Sequence, residues 1–441
     1  MNIGLFAMSG IRVCDAELLR LGLTLPGFVE RSKTIASLPS LGLLTLAGMT
    51  PASHRVNYVE VPDVHRLERL PEGIGLAAIS SYSAQVDEAY ELAARCRAQG
   101  VKTVIGGPHV SAVPDEAARH CDAVAIGEGE PLWPRVLEDA ERGRLQPFYR
   151  ADDGAGHDLA DAPLPAFGLL DMARYNRLTV QTSRGCPHRC EFCASSVLLT
   201  RGYKQKPVAR VLAEIERILA LWERPFIEFA DDNSFVNRAY WRELLAPLRG
   251  RGLRWFAESD ISVADDEELL DLMRESGCAQ VLVGLESPVE SGLHGLELRN
   301  DWKFRKFPRY KEAIRAIQSR GITVNGCFVL GLDGHTTGIF DEVRAFVRET
   351  GLYDVQVTLL TPFPGTPLYA RLEREGRLIE PRNWKKCTLF DINFEPAGMS
   401  VRELHDGFKK LVVDLYGEEF TNWRRRRFKR AIRNLRPRKG A

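Results

Sequence analysis

The sequence predicts an α/β protein with two parallel sheets: a doubly wound N-terminal sheet, then a partial (β/α)6 barrel with a helical C-terminal extension. Short apolar runs alternate with amphipathic segments over residues 1–143, and the same alternation returns over residues 173–386. Residues 144–172, with a polar Asp152–Gly156 stretch and several prolines, are predicted to be a linker. Residues 387–441 are predicted to form the extension, which ends in a basic helix.

The composition is that of an ordinary globular protein rather than a membrane-spanning or disulfide-rich one. A hydrophobic content of 44%, a charged content of 27% and a net charge of +1 are typical of a globular protein without overall attraction to nucleic acid or membrane. The N-terminus lacks a signal-peptide pattern, and no apolar run approaches the roughly 18 residues of a membrane span. Nine cysteines, an odd number without framework spacing, predict a reducing cytoplasm rather than a disulfide scaffold.

The N-terminal strands are each followed by a polar or glycine-rich turn. In an open α/β sheet such turns line the crevice at the carboxyl ends of the strands, where ligands bind. Glycines there either let a large ligand approach the backbone or simply permit tight turns, and the residues alone leave both interpretations open. The predicted strands are Ile3–Ala7, Arg55–Val59, Gly75–Ile79, Thr103–Ile105 and Ala123–Ile126, and the turn residues are Ser9, Ser80, Ser81, Tyr82, Gly106, Gly107, Pro108, His109, Gly127, Glu128, Gly129 and Glu130.

The second repeat of strands and helices predicts an incomplete parallel barrel, open on one side. Catalytic groups of such barrels gather at the carboxyl ends of the strands. Polar residues recur there at successive strands: Asp231 and Asp232, then Glu258 and Ser259, then Glu286. The predicted strands are Leu178–Thr182, Phe226–Ala230, Arg254–Glu258, Gln280–Gly284, Thr323–Val329 and Asp354–Leu360.

A CxxxCxxC motif, Cys186, Cys190 and Cys193, follows the first barrel strand. Three thiolates on one short loop can hold three irons of a cubane iron–sulfur cluster and leave the fourth iron open. Zinc is the rival ligand, but a zinc site usually takes four ligands from two pairs, and the chain has no second pair. The six other cysteines are isolated along the chain and are predicted to be core thiols.

With Phe192 before its last cysteine, the motif resembles that of the radical S-adenosylmethionine (SAM) enzymes. The resemblance implies a [4Fe-4S] cluster on the three cysteines, with SAM chelated at the open iron. It further implies that one of Asp231 and Asp232 contacts the SAM amino group, that Glu258 and Ser259 contact the ribose, and that Glu286 lies on a SAM-contact strand. The basic Arg201–Lys206 segment suits a carboxylate, and the cluster would need a flavodoxin- or ferredoxin-type electron donor.

The N-terminal domain is similar to the cobalamin-binding domain that precedes many radical SAM cores, through Ile105–His109, Val124–Glu130 and Leu38–Leu43. That similarity implies cobalamin in the crevice formed by the turns. Relatives with a histidine lower ligand carry DxHxxG after the first strand. Here Asp63-Val-His65 follows the second strand, and Glu68 stands in place of the glycine. We therefore expect cobalt without a histidine lower ligand, His65 at the surface, and His109 beside the corrin.

The C-terminal segment resembles the extension of the subgroup that contains bacterial hopanoid methylases. Its last 21 residues hold ten Lys/Arg and no acid, and Phe428, Ile432 and Leu435 form an apolar stripe. Such a helix lies on anionic lipid as a peripheral membrane contact, binds RNA, docks on the barrel through the stripe, or is a solvated tail.

Together these patterns predict a cobalamin-dependent radical SAM enzyme that methylates an unactivated carbon of a small molecule, such as a lipid or a natural-product intermediate. Three alternatives remain open on the sequence. They are radical cyclisation or oxidation without methyl transfer, methylthiolation of tRNA or protein, and a zinc-dependent nucleic-acid-binding protein that uses the basic tail. No substrate motif is legible.

Overall fold

The structure is a computed structural model, and it describes residues 1–20, 38–151, 156–195 and 202–435. Most of the predicted polar Asp152–Gly156 stretch, Arg201 of the basic segment and the end of the basic tail lie outside the described residues.

The N-terminal sheet has six parallel strands in the order β2-β1-β3-β4-β5-β6. The chain adds β2 on one side of β1 and the later strands on the other, so a switch point lies between β1 and β3. All five predicted strands are confirmed. The bounds are Asn2–Met8 (β1), Arg55–Val61 (β2), Leu76–Ser80 (β3), Lys102–Gly106 (β4), Ala123–Ile126 (β5) and Phe148–Arg150 (β6).

The sixth strand is a correction, because β6 lies in the segment predicted to be a linker. It pairs with β5 through only three residues, of which only Tyr149 is buried. A strand this short has too few alternations to show a period in the sequence.

Helices cover both faces of this sheet, which confirms the doubly wound class. Apolar side chains on one face of the sheet pack against α3, and those on the other face pack against α2 and α6. The sheet therefore lies between two separate apolar cores. The hydroxyl of Ser40 starts α2 by accepting the amide of Leu43 at 3.4 Å. The helix bounds are Ala16–Arg20 (α1), Leu41–Met49 (α2), Val86–Ala98 (α3), Pro108–Ala112 (α4), Pro114–Ala117 (α5) and Trp133–Glu141 (α6).

The second sheet has six parallel strands whose order, β7-β10-β11-β12-β13-β14, follows the chain. Within the described residues no pairing joins β14 back to β7, so the sheet is a partial barrel, as predicted. A two-stranded hairpin, Ser183–Arg184 (β8) and Lys204–Gln205 (β9), flanks the cysteine loop. The barrel strands are Leu178–Val180 (β7), Phe226–Ser234 (β10), Arg254–Ser259 (β11), Cys278–Glu286 (β12), Thr323–Leu330 (β13) and Asp354–Leu359 (β14).

Amphipathic helices pack outside this sheet, each with an apolar stripe buried in the largest core. They are Val208–Leu221 (α7), Arg238–Leu245 (α8), Glu267–Glu275 (α9), Trp302–Lys306 (α10), Tyr310–Ser319 (α11) and Ile339–Thr350 (α12). The extension adds Pro367–Arg374 (α13), Val401–Tyr416 (α14) and Glu418–Leu435 (α15).

The C-terminal extension also holds the N-terminal domain. The two carboxylate oxygens of Asp391 accept the amides of Cys14 at 2.9 Å and Asp15 at 2.8 Å. The Nε1 of Trp384 donates to Glu116 of the N-terminal domain at 2.9 Å. These contacts span more than 250 residues of sequence, and they join the N-terminal domain to the C-terminal part of the chain.

The basic helix α15 docks on the barrel through its stripe, which supports the docked alternative. Phe428 is 8% exposed and packs edge-on against Tyr353 with ring centroids 5.0 Å apart. Arg424 is buried, and its guanidinium donates to the carbonyl of Leu415 at 2.9 Å. Across the described parts of the chain, no helix is both long and apolar enough to cross a membrane.

Candidate active site

The cysteine loop is anchored by Asp231, which is buried inside the barrel. Its oxygens accept the amides of Thr182 at 2.7 Å and Ser183 at 2.9 Å, and the hydroxyls of Thr182 at 2.6 Å and Ser234 at 3.3 Å. Burial raises the pKa of this carboxyl to about 6. Of the two aspartates predicted to include a SAM contact, Asp231 thus gives both of its oxygens to residues of the protein.

The neighbouring Asp232 is exposed and is the carboxylate left for an ammonium group. One of its oxygens accepts the amide of Gly185 at 2.7 Å, which fixes the turn just before Cys186. Gly185 has a φ of +81°, a backbone conformation that other residues rarely adopt. Both aspartates belong to β10, which runs further than predicted through an irregular register.

The three cysteines lie close enough to influence one another's ionisation. Cys190 is buried, Cys186 and Cys193 are partly exposed, and all nine cysteines of the chain are free thiols. Burial raises the pKa of Cys186 to about 11 and that of Cys190 further, while Lys303 lowers both. Among the described residues no three Cys, His, Asp or Glu side chains converge on one point where a single ion could sit.

Lys303 is a site residue that sequence reasoning missed. Its Nζ is buried and donates to the carboxylate of Glu286 at 2.9 Å and to the carbonyl of Gly284 at 2.7 Å. The charge of Glu286 outweighs burial and raises the pKa of Lys303, so its ammonium stays charged near Cys190. Glu286, predicted as a SAM contact, is thus an ion-pair partner, and its φ of +62° marks a constrained strand end.

At the end of β11, the side chains of Glu258 and Ser259 have different surroundings. Within the described residues Glu258 makes no hydrogen bond, and burial, with the charges of Glu228 and Asp232, raises its pKa to about 8. Ser259 donates its hydroxyl to the carbonyl of Asp260 at 2.8 Å. Asp260, another residue that sequence reasoning missed, lies 3.3 Å from His188 of the cysteine loop.

The predicted cobalamin crevice is formed by turns at the carboxyl ends of neighbouring strands. Ser9, Ser80 and Ser81 lie at the carboxyl ends of β1 and β3, on either side of the switch point. At the next strand, Gly106 precedes Gly107, whose φ is +112° and where an added Cβ would lie 3.0 Å from the carbonyl of Ser81. At Gly107 the backbone conformation and this close approach both favour a residue without a side chain.

Tyr82 continues this crevice toward the barrel. Its side chain is 58% exposed, yet enclosure and the charge of Glu228 on β10 raise the pKa of its hydroxyl. Gly127 (φ +88°), Gly129 and Pro108 complete the turns of β4 and β5 beside it.

The expectation that His109 lies beside the corrin is corrected. His109 is 1% exposed, with Nδ1 3.0 Å from the hydroxyl of Ser83 and Nε2 3.5 Å from Glu116. Its ring packs edge-on against Trp384 with centroids 5.3 Å apart. His109 is thus part of the interface with the extension. His65 lies at the surface as expected, with its side chain 70% exposed.

Glu128 and Glu130 also differ from expectation, because they bind the cysteine loop. The guanidinium of Arg184, two residues before Cys186, forms an ion pair with Glu130 and lies 3.1 Å from Glu128. Lys204 of the adjoining hairpin lies 2.9 Å from the other oxygen of Glu128. We call Glu128, Glu130, Arg184 and Lys204 the interdomain latch. It ties the last glycine turn of the N-terminal domain to the loop that carries the cysteines.

Family profiles match three segments of this chain. The Radical SAM superfamily matches residues 180–347, a B12 binding domain matches residues 34–137, and a domain of unknown function, DUF4070, matches residues 366–441. An uncharacterized methyltransferase of Synechocystis sp. is 31% identical over 82% of this chain and 67% of its own. The chain belongs to the cobalamin-binding radical SAM enzymes.

Other members agree with this assignment. The hopanoid C-2 methylase of Rhodopseudomonas palustris is 28% identical over 79% of this chain and 67% of its own. The radical SAM methyltransferase TsrM of Kitasatospora setae, solved with cobalamin and a [4Fe-4S] cluster bound, superposes with a TM-score of 0.68. That match covers 99% of both chains at 17% identity, so it supports the fold.

The family assignment confirms the predicted resemblance, fold class and cofactors, namely the [4Fe-4S] cluster, SAM and cobalamin. The domain boundaries and the assignment of single residues to each cofactor stay predictions. For Asp231, His109, Glu128 and Glu130 the structure gives contacts within the protein instead.

Proposed function

We propose that this enzyme transfers a methyl group from methylcobalamin to an unactivated carbon of a small molecule. The interdomain latch supports the proposal most strongly, because one guanidinium joins the cysteine loop to a turn of the cobalamin-binding domain. In this proposal the two cofactor sites face each other across the latch. A substrate between them would meet both the radical source and the methyl donor.

In this proposal the chain itself positions groups and excludes water. Cys186, Cys190 and Cys193 hold the cluster, and Asp231 keeps their loop in place. Asp232 is the proposed partner of the SAM ammonium, and Glu258 and Ser259 are the proposed partners of the ribose. When bound, the cluster and SAM supply a radical that abstracts hydrogen, and cobalamin supplies the methyl group.

The crevice residues Ser80, Ser81 and Gly107 are the proposed contacts of cobalamin. Within the described N-terminal domain, neither predicted histidine is placed to bind cobalt: His65 lies at the surface, and both ring nitrogens of His109 face protein groups. We therefore retain the proposal that cobalt has no histidine lower ligand.

The proposed substrate is a lipid or a natural-product intermediate that enters through the open side of the barrel. The proposed compartment is the reducing cytoplasm, because all nine cysteines are free and a cluster must be protected from oxygen. The outer face of α15 exposes Arg426, Lys429, Arg430 and Arg433, a row of cations that would contact an anionic membrane surface.

Reconstitution tests the proposal. The protein is loaded with iron, sulfide and cobalamin, reduced chemically, and assayed for 5′-deoxyadenosine from SAM. We expect formation by the wild type and none by Cys186→Ala, Cys190→Ala or Cys193→Ala. Undiminished formation by any of these variants would refute the cluster site, and one bound zinc without sulfide or cobalamin would refute the whole proposal.

A further inference from the structure

The wall outside the cysteine loop is formed by residues 296–299. Cys190 and Glu297 form an antiparallel bridge, and the amide of Leu298 donates to the carbonyl of Arg189 at 2.9 Å. Leu298 is nevertheless 49% exposed, and Arg189 beside it is exposed too. A partner resting on this wall would lie one residue from a cluster ligand.

Unpaired cations surround the exposed leucine. Arg189, Arg299 and Arg305 are exposed, and within the described ranges none of them forms an ion pair. The guanidinium of Arg299 donates only to the carbonyl of Pro187 at 3.2 Å. We call Arg189, Leu298, Arg299 and Arg305 the cluster-loop surface.

The carboxylates beside this surface are already occupied. Glu297 is 3% exposed and accepts the amides of Arg189 at 2.9 Å and Asn300 at 2.9 Å. Asp301 accepts the amide of Gly295 at 2.9 Å. With Glu297 buried beneath it, the cluster-loop surface presents mainly positive charge to a partner.

The helix that carries Arg305 is rigidly attached to the loop. Trp302 packs against His188 with ring centroids 4.3 Å apart, and Lys303 pairs with Glu286 inside the barrel. The cations therefore keep a fixed position relative to the cysteines. An apolar centre with a charged rim is the composition of a protein–protein contact.

We propose that an acidic one-electron carrier protein docks on the cluster-loop surface. The inference rests on the proposed function, since SAM cleavage consumes one electron that must reach the cluster. The carrier donates one electron to the cluster, is itself oxidised by one electron, and dissociates; no covalent bond forms or breaks in that step. Complementary charge would speed the encounter and orient the carrier toward Cys190.

The test reverses two charges and leaves the loop contact of Arg299 intact. The variant Arg189→Glu/Arg305→Glu is compared with Arg224→Glu/Arg402→Glu, whose wild-type arginine side chains are 87% and 90% exposed at other surfaces. Each protein, loaded with its cluster, is titrated with flavodoxin for Kd. The cluster is then reduced either by reduced flavodoxin or by titanium(III) citrate, and its electron paramagnetic resonance signal is followed.

We expect the Arg189→Glu/Arg305→Glu variant to bind flavodoxin at least about tenfold more weakly at low ionic strength and to be reduced correspondingly more slowly. The difference should shrink in ~1 M salt, where charges are screened beyond about 3 Å. Titanium(III) citrate should reduce the variant as fast as the wild type.

Equal flavodoxin affinity in both variants would overturn the docking site. Slow reduction by titanium(III) citrate as well would also overturn it, because the residues would then belong to the cluster site. A wild type that forms no 5′-deoxyadenosine with titanium(III) citrate would instead refute the proposed function.

Discussion

Removal of the Arg184 guanidinium should loosen the two domains and separate radical formation from methyl transfer. In Arg184→Met, Glu130 keeps its charge at a position where its side chain is only 6% exposed and where Arg184 is its ion-pair partner. Loss of one partner of a buried pair costs about 3–5 kcal/mol, because the other charge stays desolvated. Glu128 is affected less, since Lys204 still lies 2.9 Å from it.

The cost of Arg184→Met is measured as the loss in the free energy of unfolding of the cofactor-free protein in urea. The matched control is Arg142→Met, which breaks an ion pair to Glu138 whose side chains are 55% and 52% exposed. Such an exposed pair is worth about 1 kcal/mol or less. The double variant Arg184→Met/Glu130→Gln should recover part of the loss, because it leaves no unpaired charge at Glu130.

A second assay measures the ratio of methylated product to 5′-deoxyadenosine, which reports how well radical formation is coupled to methyl transfer. Arg184→Met should still form 5′-deoxyadenosine but yield less methylated product per 5′-deoxyadenosine than the wild type. The reasoning would be refuted if Arg184→Met lost no more stability than Arg142→Met, or if both products fell in the same ratio.

Three further predictions concern other residues of the predicted sites. Asp231→Ala should lower the free energy of unfolding by about 2–3 kcal/mol and reduce bound iron, because two loop amides lose their acceptor; full iron content would contradict this. Burial and nearby carboxylates raise the pKa of Glu258 to about 8 from its ordinary 4.5, so wild-type stability falls as pH rises through that window. The stability of Glu258→Gln relative to the wild type should rise between pH 4.5 and about 8 and stay constant above that range. A stability difference that does not depend on pH would contradict the raised pKa of this carboxyl. His65→Ala and His109→Ala should leave the paramagnetic resonance spectrum of bound cob(II)alamin unchanged; a loss of nitrogen splitting in either variant would reveal a histidine ligand.

The sequence predicted both sheets well because most of their strands are buried apolar runs between clear turns. Leu76–Ser80 and Thr323–Leu330, for example, are almost wholly buried, so their pattern stands out. The missed strand Phe148–Arg150 buries one residue of three, which leaves no pattern to detect. The C-terminal docking helix could be seen as amphipathic, but only the structure shows which surface its stripe covers.

The site was predictable where a motif carries chemistry and unpredictable where charges pair across the fold. The spacing of Cys186, Cys190 and Cys193 is local, and it predicted the cluster. Lys303 reaches Glu286 from a short helix 17 residues away, and no local pattern marks it. Arg184 and Glu130 lie 54 residues apart, so their pairing follows from domain packing alone.

The differences from expectation at His109, Glu128 and Glu130 have one physical cause. A polar residue at a strand end suits a ligand, and it equally suits a neighbouring domain that covers the same edge. His109 and Glu128 were predicted from position, but the extension and the cysteine loop supply partners there that the sequence does not reveal.

The most direct measurement follows the methyl group itself. The reconstituted enzyme is incubated anaerobically with cell extract and SAM whose methyl group is fully deuterated, and products are compared by mass spectrometry with those of Cys190→Ala. We predict one new product that carries an intact trideuterated methyl group on carbon and forms only with the wild type and cobalamin. A product that instead loses hydrogens without gaining label, or label transfer that survives Cys190→Ala, would contradict methylation by the cluster and cobalamin together.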